Sequence, residues 1–280
     1  MIIVRVQTAP YAGDILTILT QATLPDLARI PAGEFLMGAA DAAADERPVH
    51  RVSVSEFFIG RFAVTNDEYA RFIRATGHPA PSLRGLPLIA GGGRDLLCKE
   101  LAAPYLWEDH NPPPGRGSHP VVLVSFDDAV AYCRWLSQAI ERVVRLPTEA
   151  EWEKAARGGV EGRRYPWGDG IDASRCNFLE DPSAKHQRGT RPTGTYPPNA
   201  FGLCDVVGNV WGWVSDWYDS EYYGGGDMND PRGADTGTMR IVRGGSWVND
   251  DVKMLRCAYR HKVPPDTYAY SIGFRVVCVP

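Results

Sequence analysis

The sequence predicts an α+β fold with little regular secondary structure, built from few short helices, short antiparallel strands and long ordered loops. Glycine and proline occur 29 and 22 times in 280 residues, and this density interrupts the chain too often for a helix bundle or a wound sheet. Residues 242–247 and 272–277 are rich in β-branched and aromatic side chains, and they predict two strands that hold a loop between them. We expect the functional residues on that loop.

The start of the chain predicts an N-terminal extension, residues 1–29, ahead of one domain that spans residues 30–280. A short strand is predicted within the extension at residues 2–6. Residues 30–38 contain proline and glycine around an apolar run, which predicts a turn that leads into a strand. Residues 49–59 alternate enough to be the partner of that strand.

Three helix starts follow in the sequence. Thr65, Ser125 and Thr148 each stand three positions ahead of an acidic residue, and this pairing satisfies backbone amides that are otherwise unpaired at a helix start. The apolar residues after each start recur on one face, so we interpret them as core positions.

The stretch 77–119 predicts a long loop between the first two helices, and a loop of this length in a compact domain is usually functional or mobile. It contains His78, His110 and His119 beside Glu108 and Asp109. These residue types suggest a metal site, but their irregular spacing gives that hypothesis little support.

Composition and charge narrow the function classes. The net charge of −4 comes from interspersed residues of both signs, which argues against a nucleic-acid partner. No apolar run approaches the ~20 residues that span a bilayer, and the N-terminus lacks a basic start, so we expect a cytoplasmic protein with no membrane partner. The six cysteines include no C-x-x-C pair and are expected mostly as buried small side chains, with long-range disulfides left open.

Six segments, taken together, resemble the formylglycine-generating enzyme (sulfatase-modifying factor) family in order and spacing. They are residues 30–38, 119–122, 145–153, 208–211, 243–247 and 273–275. The resemblance implies a single α+β domain related to the C-type lectin fold. It implies no single activity, because a fold can carry several functions. Some members oxidise a cysteine in sulfatases with copper, others join sulfur to histidine derivatives with iron, and the variable proteins of diversity-generating retroelements display a variable surface.

The resemblance also indicates which metals to expect. Asn249 and Met254 stand at or near the positions of the two copper cysteines, and neither side chain offers the thiolate that a cuprous ion prefers. Cys257 matches a position outside that pair. Residues 1–29 contain no histidine for an iron site, so neither copper nor iron is expected.

Calcium is the structural ion that the resemblance implies. Asn177 with the carbonyl of Phe178, and Asn209 with neighbouring carbonyls, match calcium positions of family members. Asparagine and carbonyl oxygens suit a hard cation, although turns in which such side chains bond only their own backbone are commoner. Gly212 replaces a glutamate that the family usually has, which removes a strong oxygen ligand from the second site.

The loop between the two C-terminal strands carries the predicted ligand-binding residues. They are Trp247, Val248, Asn249, Asp250, Asp251, Val252, Tyr259, His261, Val263, Thr267, Tyr268, Ala269, Tyr270 and Ser271. Residues 255–258, 260 and 265–266 fit the family framework between them. Trp247 aside, nearly all of these fourteen residues can be reached from an asparagine codon by changing its adenines, as retroelement mutagenesis does, and such residues suit adaptable binding surfaces. An ordinary polar family loop is the alternative.

The favoured hypothesis is a scaffold without catalytic activity that binds an unknown protein or small-molecule ligand through residues 248–271. The second hypothesis is a metal-dependent oxidoreductase of the same family, with Ser246, Trp247, Tyr259 and His261 near its pocket. A third is a partner subunit of a family enzyme. An enzyme should show a concave pocket with converging polar groups, whereas a display surface should be broad and exposed.

Overall fold

The computed structural model describes residues 24–83, 99–180, 189–226 and 228–280. The strand predicted at residues 2–6 lies outside the described residues, as do residues 84–98 of the 77–119 loop and Cys98 with them.

The secondary structure is short and dispersed, in agreement with the predicted α+β class. The strands are β1 (Leu27–Ile30), β2 (Gly33–Met37), β3 (His50–Val54), β4 (Phe57–Gly60), β5 (Val144–Arg145), β6 (Trp211–Trp217), β7 (Arg240–Arg243), β8 (His261–Val263), β9 (Ile272–Phe274) and β10 (Val277–Cys278). The labelled helices are α1 (Asn66–Thr76), α2 (Phe126–Ile140), α3 (Glu149–Arg157) and α4 (Tyr222–Gly225). Residues 99–102 are also helical, and short 3₁₀ turns occupy Ala44–Glu46, Ala103–Tyr105 and Val252–Leu255.

The three predicted helix starts are confirmed. Thr65, Ser125 and Thr148 each accept a hydrogen bond from the backbone N–H three residues on, at 3.3, 3.1 and 3.2 Å respectively. The acidic residue at that position bonds back to the cap, which completes a capping box in each case. The apolar faces of the three helices are buried in the core.

The strand predicted within residues 30–38 forms, but the predicted partner segment 49–59 divides into two strands, β3 and β4. β2 and β3 are antiparallel partners from Gly33 opposite Val54 to Met37 opposite His50. β1 starts three residues ahead of position 30 and pairs with β4, so the first described sheet includes residues of the predicted extension. That sheet has the order β1-β4-β10-β5 and therefore joins both ends of the domain.

The strands predicted at residues 242–247 and 272–277 correspond to β7 and β9, each of which covers only part of its predicted range, and the two are not neighbours. Their sheet has the order β8-β7-β6-β9, so β6 lies between them and is antiparallel to β7 and parallel to β9. Strand propensity marks β7 and β9 individually and says nothing of the partner of each. β6 is one of the two inner strands of this sheet, and its Trp211 and Trp213 are buried, at 4% and 0% exposure.

The segment between β7 and β9 therefore has a defined course. It leaves β7, passes the 3₁₀ turn at Val252–Leu255, adds β8 to the outer edge of β7, and crosses to β9.

The described cysteines confirm the expectation of buried small side chains. Cys133, Cys176, Cys204, Cys257 and Cys278 are all buried and free. No helix among the described residues is long and apolar enough to cross a membrane.

Candidate functional site

A buried ion-pair network fastens the loop that follows β7 to helix α3. Arg243, at the end of β7, donates from Nη1 to Glu149 Oε1 at 2.8 Å and from Nη2 to Glu153 Oε2 at 2.6 Å. Arg260 approaches Glu149 from the loop side and donates to both of its carboxylate oxygens, at 2.8 and 2.9 Å. Each of these four side chains is at most 3% exposed. Such bidentate, desolvated contacts fix geometry strongly.

Helix α3 presents both glutamates on one face because they lie four residues apart, one turn along the helix. Arg157 follows Glu153 at the same spacing and donates to Glu153 Oε1 from Nη2 at 2.6 Å. Burial opposes ionisation of Glu153, but the charges of Arg157 and Arg243 outweigh it and hold the pKa of Glu153 below its ordinary value. The network is therefore a set of paired ions.

Arg243 also binds the backbone of the loop. Arg243 donates to the carbonyl of Cys257 at 2.6 Å and to that of Ala258 at 3.2 Å. Leu255, Cys257, Ala258 and Arg260 are buried, at 0 to 5% exposure. The predicted framework positions 255, 257, 258 and 260 are thus held inside the protein, while Arg256 and residues 265–266 lie nearer its surface.

Ten of the predicted ligand-binding residues reach the surface. Asp250 and Asp251 are exposed, and the other eight are half-buried. We call these ten residues the displayed surface, namely Val248, Asn249, Asp250, Asp251, Val252, Tyr259, His261, Tyr268, Ala269 and Tyr270.

The other four predicted ligand-binding residues are buried, which corrects their expected exposure. Trp247 packs in a hydrophobic cluster, and its indole Nε1–H donates to the carbonyl of Tyr270 at 3.4 Å. Val263 is the last residue of β8 and packs in the core. Thr267 and Ser271 are 2% and 8% exposed. An irregular loop has no sequence period that separates inward from outward positions, so composition alone could not make this distinction.

Aromatic rings line the displayed surface. The Trp211 ring lies 5.0 Å from His261 and 6.1 Å from Tyr259, and the Trp247 ring lies 5.7 Å from Tyr270. Burial lowers the pKa of His261, with the charge of Lys262 acting in the same direction, so its ring is neutral near pH 7. Because Trp211 lies in β6, one strand away from the loop, no local sequence pattern indicates this contact.

Asn249 and Met254 lie in direct contact. The side-chain oxygen of Asn249 accepts hydrogen bonds from the backbone N–H and the hydroxyl of Ser246, both at 2.8 Å. Its amide nitrogen donates to the sulfur of Met254 at 3.1 Å. These two positions therefore face one another across the loop, joined by an amide and a thioether.

Comparison with known proteins decides the family. The model of the sulfatase-modifying factor enzyme 1-like domain matches residues 16–279. The chain belongs to that family.

One relative in this family is the formylglycine-generating enzyme of Streptomyces coelicolor, which is 39% identical over 88% of this chain and 87% of its own. The structure of PvdO from Pseudomonas aeruginosa is similar with a TM-score of 0.72 and 29% identity, covering 91% of this chain and 95% of PvdO. Treponema denticola variable protein 1 shares the fold, with a TM-score of 0.70 and 23% identity, at 91% and 95% coverage. The predicted family and fold class are confirmed.

The side chains at the copper positions of this sulfatase-modifying factor family member do not fit a copper centre. A pair of thiolates binds a cuprous ion strongly, whereas Asn249 offers an amide, which is a poor ligand for a soft ion, and Met254 offers a single neutral thioether. Burial raises the pKa of Cys257 to about 12, so that residue remains a protonated thiol at neutral pH, and its side chain packs in the core.

The two asparagines predicted as calcium ligands contact each other. Asn177 donates to the side-chain oxygen of Asn209 at 3.1 Å, and the backbone N–H of Arg191 donates to the same oxygen at 2.9 Å. The carbonyl of Phe178 accepts from the backbone N–H of Glu180 at 3.1 Å. The Asn209 oxygen thus has two N–H partners and would have to release them to bind a cation. Calcium at Asn177, Phe178 and Asn209 remains a prediction.

The histidines of the 77–119 loop have separate partners. His78 contacts Asp128 at 2.6 Å, His119 contacts the Thr190 hydroxyl at 2.9 Å, and His110 is exposed. Within the described ranges, no group of three or more His, Cys, Asp or Glu side chains is arranged to hold a metal ion.

Proposed function

We propose that this chain is a binding protein of the formylglycine-generating enzyme fold that contacts a protein or small-molecule ligand through the displayed surface. One observation carries the proposal. Buried framework residues and displayed residues alternate within the same segment, and Arg243 and Arg260 fix the framework to α3. Displayed side chains can therefore change without loosening these anchors, with the exception of Asn249, which accepts hydrogen bonds from the buried Ser246.

The composition of the displayed surface suits recognition. Tyrosine supplies contact area at low entropic cost, and aspartate and asparagine adapt their hydrogen bonds to different partners. Most of these residues can be reached from an asparagine codon by changing its adenines, and this favours the more specific proposal of a retroelement variable protein.

The proposed location is the cytoplasm, because five buried cysteines are free and a reducing compartment keeps thiols in that state.

The copper interpretation can be tested by restoring the cysteines. Asn249 Nδ2 and Met254 Sδ are 3.1 Å apart, so these two side chains point toward each other, and two cysteines in their places would direct their thiolates toward the same space. We expect the double variant Asn249→Cys/Met254→Cys to bind one cuprous ion under reducing conditions, measured by mass spectrometry of the intact protein. The wild type should bind none with comparable affinity.

The matched control is Asn249→Ser/Met254→Leu, which changes both positions without adding a thiol. Stoichiometric cuprous binding by the wild type or by this control would contradict the proposal, because it would require a different ligand set.

A second candidate function is oxidoreductase chemistry with a different centre. The 39% identity to the Streptomyces coelicolor enzyme favours it, and so does the neutral His261 ring beside Trp211 and Tyr259. A metal that binds the wild type and is lost in His261→Gln would support this candidate over the binding protein.

A further inference from the structure

A cleft of about 590 Å³ lies beside the framework of the loop, on residues that the displayed surface does not include. Leu36, Val49 and Ala258 give it an apolar lining. Four arginines and two aspartates also line it, namely Arg157, Arg163, Arg164, Arg256, Asp41 and Asp169. We call it the arginine cleft. Its volume is within the range of about 300–1,000 Å³ that is usual for small-molecule sites.

Two of the arginines are fixed in place by buried partners. Glu46 accepts hydrogen bonds from Nη1 and Nη2 of Arg256, at 2.9 and 2.8 Å, and is itself 1% exposed. Arg157 donates to Glu153 and to the carbonyl of Gly38, the latter at 2.8 Å. These contacts hold the side of the cleft rigid, which lowers the entropic cost of binding a ligand there.

The other two arginines are available to an anion. Arg164 donates to the carboxylate of Asp41 across the cleft, and the two side chains are 53% and 61% exposed. A pair this exposed contributes little to stability, so an external anion can exchange for it. Among the residues that the structure describes, no ion pair is formed by the guanidinium of Arg163, which also lines the cleft.

Asp41 shows the kind of group that the cleft accepts. The hydrogen bond from Arg164, and then the charges of Arg164 and Arg256, hold the pKa of Asp41 below its ordinary value. Its carboxylate thus pairs with the Arg164 guanidinium, as the carboxylate or phosphate of a ligand would. A planar guanidinium matches both of these groups in shape and charge.

We propose that the arginine cleft binds a small organic anion whose carboxylate or phosphate displaces Asp41 from Arg164 and also engages Arg163, with its apolar part against Leu36, Val49 and Ala258. This site is separate from the displayed surface and goes beyond the proposed function. Arg256 and Ala258 connect it to the loop framework, so a bound anion would contact the scaffold that carries the displayed residues.

Isothermal titration of the intact protein with succinate and with inorganic phosphate, at constant ionic strength, tests the proposal. We expect saturable binding of at least one of them. Arg164→Gln should weaken it about tenfold or more, because a charge-assisted hydrogen bond is lost. Asp41→Asn should strengthen it several-fold, because it removes the competing carboxylate. Tighter binding of one probe identifies the favoured anionic group.

The matched controls are Arg175→Gln and Asp172→Asn, which alter another exposed arginine–aspartate pair, with side chains 45% and 41% exposed. Neither should change anion affinity. The proposal is overturned if neither probe binds, if Arg164→Gln and Arg175→Gln have equal effects, or if Asp41→Asn fails to tighten binding. Arg164→Gln should weaken anion binding and Asp41→Asn should strengthen it. These opposite effects on affinity distinguish a binding site from an ion pair that is only structural.

Discussion

At the scale of single residues, Arg243 makes the contacts on which the loop depends. Its guanidinium is fully buried, and it binds two glutamates of α3 and two carbonyls of the loop. Buried ion pairs are not always stabilising relative to apolar packing, but removing one partner leaves the other charge buried without compensation. Arg243 is therefore a position where a single change should have a large effect.

We predict that Arg243→Met lowers the free energy of unfolding by about 3–5 kcal/mol, because Glu153 loses one of its two cations and Glu149 loses another. Urea denaturation measures this loss. The control Arg175→Met changes an exposed arginine and should stay within about 0.5 kcal/mol of the wild type. Equal, small losses in both variants would show that the network does not hold the loop.

Asp216 gives a prediction about pH. Burial, together with the charge of Glu149, raises the pKa of Asp216 to about 7. The unfolded value is about 3.9, so between pH 4 and 7 the unfolded chain loses a proton that the folded chain keeps. Stability therefore falls as the pH rises through this window, by up to about 1.4 kcal/mol per pH unit from this group.

Asp216→Asn should remove that dependence. We expect the free energy of unfolding of the wild type to fall by about 1–3 kcal/mol more between pH 5 and pH 7 than that of the variant. The control is Asp172→Asn, since hydrogen bonds from Ser174 lower the pKa of exposed Asp172 and keep its titration below this range. Parallel pH profiles for Asp216→Asn and the wild type would refute the assignment.

At the scale of the elements, the segment between β7 and β9 divides into anchors and displayed positions. We predict that Leu255→Ala, at a framework position with 0% exposure, costs about 2–5 kcal/mol of stability. Asp250→Tyr and Tyr268→Asp, at displayed positions, should each cost less than about 1 kcal/mol. Thermal and urea unfolding of the three variants measure the difference. Comparable losses at both kinds of position would contradict the division.

The sequence predicted the elements unevenly, for physical reasons. The capping boxes at Thr65, Ser125 and Thr148 are local, so the four residues of each motif were enough to place each helix start. The place of β6 between β7 and β9 depends on contacts distant in sequence, and strand propensity carries no information about them. The Asn249–Met254 contact likewise needed the path of the loop, although both residue types were visible beforehand.

At the scale of the whole molecule, segments far apart in sequence bind one another in the fold. Glu149 and Glu153 of the 145–153 segment bind Arg243, and the N–H of Gly208 donates to the carbonyl of Gly244 at 2.8 Å. The short segments that resemble the family are spaced along the sequence, but they contact one another in the fold. This is why they predicted the family and the fold together. Function did not follow in the same way, because it depends on the side chains at a few loop positions.

The measurement that tests the central claim most directly is oxidation of a cysteine-containing sulfatase peptide, followed by mass spectrometry in the presence of cuprous ions and oxygen. The Streptomyces coelicolor formylglycine-generating enzyme is run in parallel as a positive control. Because Asn249 and Met254 supply no thiolate, we expect no conversion by this chain above the buffer control, while the relative converts the peptide. Repeated turnover of the peptide by the wild-type chain would contradict the binding-protein assignment.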